Sequence, residues 1–333
     1  MTTHLPYNLL DKQQIIQQIN SLAAKHSPFL FIIDYKAEQG YVIKQEDLDE
    51  QFICFNIDRS TPTHAFNSAL ATKIQWDTNP IPLEEYQAKF DFVLQQIHRG
   101  NSFLTNLTQP TEVRTNLSIF DIYNLSQAKY KLWLSGQFVV LSPETFVRIE
   151  DRIISSFPMK GTIDASILHA EEIILNDPKE MAEHATIVDL IRNDLSLVAS
   201  QVEVKRYRYI DKIATNKQDL LQVSSEISGL LPDNYHERLG DILFALLPAG
   251  SICGAPKQKT LEIIEEVEGY KRGFYTGICG YFDGENLDSA VMIRFVEQNG
   301  AKLIFKSGGG ITSKSEMIKE YEELIQKIYV PIC

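Results

Sequence analysis

Carboxylates at helical spacing are the first feature of this chain that could do chemistry. In NDPKEMAEHATIVDLIRNDLSLV (176–198), Asp177 suits an N-cap and Pro178 the first helical turn, and Glu180 stands three residues after the cap as in a capping box. Glu180 therefore has an ordinary structural reason to be there. Glu183 does not: it precedes Ile187, Leu190 and Ile191 by four, seven and eight residues, on the stripe that should face the core. A carboxylate on that stripe needs a cation, a strong donor or a proton. A metal ion and a structural ion pair both meet that need.

A second pair stands in SGGGITSKSEMIKEYEELIQKI (307–328). Ser315 is expected to cap the helix, and Ile318, Tyr321, Leu324, Ile325 and Ile328 to form its apolar face. Glu320, Glu323 and Lys327 share a flanking face at i, i+3 and i+7. Taken alone, Glu323 and Lys327 read as a surface i,i+4 ion pair worth about 0.3–0.5 kcal/mol. Two helices each carrying Glu-x-x-Glu open another reading, because magnesium binds with few protein carboxylates plus water and substrate oxygens. Gly308, Gly309 and Gly310 are expected between a strand and the second helix, either as a tight turn or with backbone N–H groups free to meet a carboxylate or phosphate.

Lys160 in FPMKGT follows a β-rich run and precedes Gly161. It reads as a turn lysine, or as a nucleophile if a cleft desolvates it. LLPAGSICGAPKQKT is not a nucleotide-binding loop, because Gly254 is followed by Ala-Pro-Lys and not by Gly-Lys-Ser/Thr.

The elements that must position these residues follow from periodicity. A helix is expected over 10–24, strands at PFLFIIDY and FICFNI, and a turn at Thr61-Pro62-Thr63. A helix at LEEYQAKFDFVLQQIHRG turns Tyr86, Phe90, Val93 and Ile97 to one side and stops at Gly100. Short strands follow at FLTNLTQPTEV, WLSGQFVVLSPETFVRIE and RIISSFPMKGT, and later at GFYTGICGYF, AVMIRFVE and KLIFKSGGGI. This pattern suits one large unit, residues 81–330, with an N-terminal subdomain, residues 1–80, packed on it.

The chain has 333 residues, 44% hydrophobic and 23% charged, an ordinary globular composition. Its net charge of −12 argues against a nucleic-acid partner. The first residues lack a basic segment followed by an apolar one, and no later run approaches a membrane span. Cys54, Cys253, Cys279 and Cys333 are scattered. A cytoplasmic protein with no membrane partner is expected.

The blocks SPETF, PMKGT, NDPKExAEHxxIVDLIRND, PAGSICGAPK, EIIEEVEGYKRGFYTGICGYF, AVMIRFVE and GGGITSKSxxxxEYEELIQK, in this order, resemble the chorismate-utilizing enzymes. That family holds anthranilate synthase large subunits, aminodeoxychorismate synthase component I, and the isochorismate and salicylate synthases. The resemblance runs from about residue 83 to 329. It implies an α+β, anthranilate-synthase-component-I-like fold: two large β-sheets packed face to face and wrapped by helices around one deep cleft. It also implies Mg2+ as cofactor, with Glu183 and Glu323 matching the family's magnesium carboxylates and Glu180 and Glu320 the acids beside them. Tyr275, Arg294, Lys327 and the backbone of Gly308 and Gly310 match groups holding the substrate's carboxylates, and Thr162 joins the substrate-binding set. Glu144 matches the general acid, and His184 a histidine near the ring's leaving group.

Pro158-Met159-Lys160-Gly161-Thr162 resembles the PIKGT block of the C4-aminating branch more than the PIAGT of anthranilate synthases. The resemblance thus implies a transferase on the para-aminobenzoate and folate route, with Lys160 forming a covalent intermediate. Leu104 stands where water-using relatives carry a lysine, which disfavours water as nucleophile. Nothing in the chain resembles a glutaminase or a lyase domain. The expected partners are chorismate, a glutamine amidotransferase subunit supplying ammonia, and a separate aminodeoxychorismate lyase downstream. The alternatives are anthranilate synthase component I and a catalytically silent chorismate-binding regulatory subunit.

Overall fold

The computed structural model describes residues 5–57, 73–213 and 219–332. Within them, the run Phe29–Ile33 shows how the fold is layered. Phe29, Phe31 and Ile33 face one side and Leu30 and Ile32 the other, and all five are buried. A strand apolar on both faces must lie inside a layered protein. It sits in a ten-stranded sheet, and an eight-stranded sheet packs against one face of it. Leu30, Ile32, Tyr281 and Met292 of the larger sheet and its continuation meet Phe55, Leu132, Phe138 and Phe295 of the smaller one in a shared core.

The opposite face of the larger sheet is covered by helices Lys12–Ala23, Pro178–Ser196 and Leu239–Leu246. The outer side of the smaller sheet carries helices Leu83–His98, Ile119–Leu125, Lys257–Glu268 and Met317–Gln326. The expected α+β arrangement of two packed sheets wrapped by helices is what forms. Among the described residues no helix is long and apolar enough to cross a membrane.

Several local expectations hold. Tyr86, Phe90, Val93 and Ile97 form the buried side of Leu83–His98, and Gly100 follows its end with φ 77°. Asp177 Oδ1 accepts from Glu180 N at 2.9 Å, which fixes the start of Pro178–Ser196. Asp11 and Gln14 form a capping box that starts the first helix at Lys12, because Leu10 and Asp11 pair with Gly40 and Gln39 as a short strand.

Strands before residue 80 pair with later ones: Ile33 with Ile278 in the larger sheet, and Ile53–Ile57 with Tyr130–Leu134 in the smaller. The N-terminal part is thus woven into both sheets, and the turn expected at Thr61-Pro62-Thr63 lies outside the described residues. Ser315 does not cap the last helix. Its Oγ accepts from Thr312 N at 3.1 Å, and Glu316 takes the cap position. Leu324 and Ile328 of the expected apolar face are buried. Ile318 is 47% exposed, while Glu320 is only 3% exposed.

A buried ion pair ties these layers together. Arg272 donates through Nη2 to Glu268 Oε1 (2.6 Å) and through Nε to Oε2 (2.9 Å), and its other bonds go to Asn106 O, Ile252 O and Thr276 Oγ1. It therefore locks helix Lys257–Glu268 to strand Leu104–Thr115 just before Tyr275. Arg272→Met leaves Glu268 buried and uncompensated, so unfolding in urea is expected to show a loss of about 3–5 kcal/mol.

Candidate active site

The cleft opens where the chain crosses from one sheet to the other. Strand Leu287–Val291 belongs to the larger sheet and Phe295–Asn299 to the smaller, so Met292, Ile293 and Arg294 make the crossing. Arg294 does so with φ 52°, and Thr276, whose N–H donates to Met292 O at 2.8 Å, has φ 63°. Non-glycine residues hold this left-handed region at a cost of about 1–3 kcal/mol, and such strain concentrates at functional sites. Here it turns the Arg294 side chain over the Tyr329 ring, 4.7 Å from its centroid, and sets Tyr275 into the same cavity.

The cavity has a volume of about 670 Å³, within the range of small-molecule sites. One wall is strand Met159–Asp164 with the first turns of Pro178–Ser196, giving Lys160, Thr162, Glu180 and Glu183. The other is strand Lys302–Thr312 with Met317–Gln326, giving Gly308, Gly310, Glu320, Glu323 and, at the helix end, Lys327. Glu144 and Tyr275 also line it.

The three glycines lie inside a strand, not in a turn before the helix: Gly308, Gly309 and Gly310 pair with Thr108, Leu107 and Asn106. Close approach explains Gly308 and Gly310. A Cβ at Gly308 would stand 2.5 Å from Leu107 O, whereas one at Gly309 would make only ordinary contact, 3.5 Å from Glu320 Oε2. One at Gly310 would come within 2.9 Å of Leu104 Cδ1 and 3.3 Å of Lys160 Nζ. The glycine run keeps the floor at backbone height, so acids and lysines from both walls can reach across it.

Charges alternate over that floor. Lys160 Nζ lies 3.9 Å from Glu183 Oε2, and Glu183 is 8% exposed. Lys327 Nζ lies 2.5 Å from Glu323 Oε1 and donates to Gly308 O at 3.2 Å. The i,i+4 pair foreseen for the last helix therefore exists, but it faces the cleft.

Glu144 accepts from Ser251 Oγ at 2.5 Å. Burial pushes its pKa above the usual carboxylate range, opposed by that hydrogen bond and by the charges of Lys160 and Lys327. Its carboxyl group therefore keeps a proton to higher pH than a solvated one, as a general acid requires. Removing the hydrogen bond removes an influence that lowers the pKa. Ser251→Ala is accordingly expected to move the alkaline limb of the kcat/KM–pH profile upward, measured at constant free ammonia.

Of the candidate catalytic, substrate-binding and metal residues, His184 alone does not line the cavity. It is fully buried behind the wall, with Nε2 2.6 Å from Ser225 Oγ and its ring in edge contact with Tyr207. Burial, then the charges of Arg208 and Lys160, lowers its pKa to about 4, so the ring is neutral.

Sequence reasoning missed Ser251 and Lys306, both of which line the cavity. Ser251 stands in PAGSICGAPK, a block in which no residue is singled out for chemistry. Lys306 shares a strand face with Gly308 and Gly310, a period-two relation visible in the sequence. It is buried, donates to Arg272 O at 2.9 Å and lies 3.1 Å from Glu297 Oε2. Burial lowers its pKa.

The donor set fits a hard cation. Glu180 and Glu183 on one wall and Glu320 and Glu323 on the other offer only oxygen ligands. Among the described residues no three of these carboxylates bring oxygens within 4.8 Å of one another. That is unsuited to an all-protein cage but compatible with magnesium, which uses one or two carboxylates and keeps water or substrate oxygens.

Residues 29–332 match the chorismate binding enzymes, and the chain belongs to that family. It is 48% identical over 320 residues to an uncharacterized PabA-like protein of Haemophilus influenzae, covering 96% of this chain and 97% of that one. It is 34% identical to an anthranilate synthase component 1 of Acetivibrio thermocellus, over 75% of this chain and 52% of the relative. An aminodeoxychorismate synthase component 1 of Salmonella typhimurium is 30% identical over 89% of this chain and 66% of its own length. The fold is shared with a putative 2,3-dihydroxybenzoate-specific isochorismate synthase of Bacillus anthracis, at TM-score 0.72 and 16% identity over 96% of this chain and 90% of that one.

Proposed function

We propose that the protein aminates chorismate at C4 to give 4-amino-4-deoxychorismate, with Mg2+ bound and with ammonia from a separate glutamine amidotransferase subunit. The observation that carries this is Lys160, whose amine reaches the cleft floor between Glu183 and Gly310. The Salmonella relative named as aminodeoxychorismate synthase component 1 supports the same reaction.

Chorismate is a dianion, and Arg294 and Lys327 supply local positive charge against the overall net charge of −12. The Lys160 amine gives up a proton to solvent and attacks ring C2, the diene electrons shift along the ring, and the C4–O bond breaks. The hydroxyl takes a proton from Glu144 and leaves as water. Ammonia then adds at C4, the electrons shift back, and the C2–N bond to Lys160 breaks. Two easier substitutions replace one hard one, with no change in oxidation level. Magnesium, when bound by Glu183 and Glu323, would act as a Lewis acid toward substrate oxygens. On this proposal the protein works in the cytoplasm on the para-aminobenzoate and folate route, and a separate lyase removes pyruvate.

The second reading is anthranilate synthesis, favoured by the Acetivibrio relative. Product analysis separates the two. With chorismate, magnesium and ammonium, 4-aminobenzoate appearing only after an aminodeoxychorismate lyase is added is the expected result. Anthranilate without lyase would overturn the C4 assignment.

A further inference from the structure

His26, His236 and Glu285 come from three separate elements and converge outside the cleft. His26 lies in the turn after helix Lys12–Ala23 with φ 53°, and His236 in the helical turn Tyr235–Arg238. Glu285 lies in the turn between strands Ile278–Phe282 and Leu287–Val291. One ligand atom from each lies within 4.8 Å of the others. We propose that these three side chains bind a borderline divalent transition-metal ion of the Zn2+ type, fastening the end of the N-terminal helix to a hairpin of the larger sheet.

The surroundings hold the ligands in place. Asp283 Oδ1 accepts from Glu285 N (2.8 Å) and Asn286 N (2.7 Å), which shapes the hairpin turn, and Tyr235 OH donates to Glu285 O at 3.0 Å. The His236 ring packs between Tyr235, 3.9 Å away by centroid, and Phe282, 5.9 Å away. The His26 ring lies 4.6 Å from it, with Nδ1 2.8 Å from Gly284 O and 3.2 Å from Glu285 Oε1.

An ordinary histidine–carboxylate contact accounts for His26 and Glu285, and the Glu285 backbone bonds to the His236 ring. Neither answers His236 Nε2, which is buried and has no hydrogen-bond partner among the described residues. Buried polar atoms are nearly always satisfied, and an ion is one of the few things that answers an orphan. Two imidazoles and one carboxylate select zinc-like ions over magnesium, and three protein ligands leave a position for water. His26 and Glu285 are exposed, so an ion can enter.

Calorimetric titration of tag-free, chelator-stripped full-length protein with Zn2+, in saturating Mg2+ to occupy the cleft carboxylates, tests this directly. One equivalent is expected to bind, and His26→Gln and His236→Gln should each weaken it by at least about 100-fold. Zn2+ should raise the melting temperature of the parent protein but not of either variant, and Glu183→Gln should bind as the parent does. Should His236→Gln fail to fold, His26→Gln decides, because that side chain is half exposed. No Zn2+ uptake by the parent, or equal uptake by the His26 variant, overturns the proposal.

Discussion

Glu183→Gln and Glu323→Gln are each expected to lower kcat/KM for chorismate by about 10²–10³-fold, the scale of losing one preorganised electrostatic contact to the reacting group. The amide keeps the side chain's shape and removes its charge, so packing on either wall is preserved. The two positions should nevertheless differ in stability. Glu183 is buried beside Lys160, and exchanging it removes a carboxylate that folding had to desolvate. Glu323 is half exposed and paired with Lys327, so little change in melting temperature is expected there. Magnesium titration of the rate supplies the second readout. If these carboxylates hold the ion, the concentration for half-maximal activity rises in both variants. If Glu323 serves only as a partner for Lys327, its variant responds to magnesium as the parent protein does, and the metal assignment at that wall fails.

Legibility of the site tracked the distance over which each contact acts. Asp177 capping Glu180, and Tyr86, Phe90, Val93 and Ile97 on one stripe, depend on neighbours three to eleven residues away, and sequence periodicity captures such relations. Glu183 was conspicuous because a carboxylate on an apolar stripe is costly unless something answers it. What answers it in the fold includes Lys160, 23 positions earlier, on a strand of the larger sheet.

The glycine run misled for a related reason. Three successive glycines signal a turn by local rules, yet here they sit mid-strand because a side chain at Gly308 would strike Leu107 O and one at Gly310 would crowd Leu104. Those atoms lie some two hundred positions away in the chain and enter no local pattern. At the last helix the expected apolar face holds at Leu324 and Ile328, which are buried, and departs at Ile318. Ser315 bonds back to Thr312 instead of capping, and the cleft draws Glu320 inward while Ile318 turns out. A cleft lined with acids draws a carboxylate inward, which is why the amphipathic reading departs at Ile318 and Glu320, where function is concentrated.

Lys160→Ala and Lys160→Arg together separate two roles that a lysine in this cleft can play. As a nucleophile it must present an amine with a free electron pair, so both exchanges should cost on the order of 10²–10⁴-fold in kcat, the span commanded by a group acting directly on the reacting atoms. As a mere counter-charge to Glu183 it could be replaced by arginine, which stays protonated and reaches a carboxylate well. Recovery of activity in the Arg variant would therefore assign Lys160 to electrostatics and leave ammonia to attack chorismate directly. Loss in both variants, with KM little changed for Arg, assigns it to bond formation. Intact-protein mass spectrometry supplies an independent readout: with chorismate and magnesium but no ammonia, the parent protein should gain the mass of the substrate less one water, and neither variant should. The adduct is expected to discharge when ammonia is added, because the second substitution needs only a nucleophile at C4 to release the lysine. An adduct in the Ala variant would place the bond on another residue and sink the Lys160 mechanism even if the final product proved to be 4-amino-4-deoxychorismate.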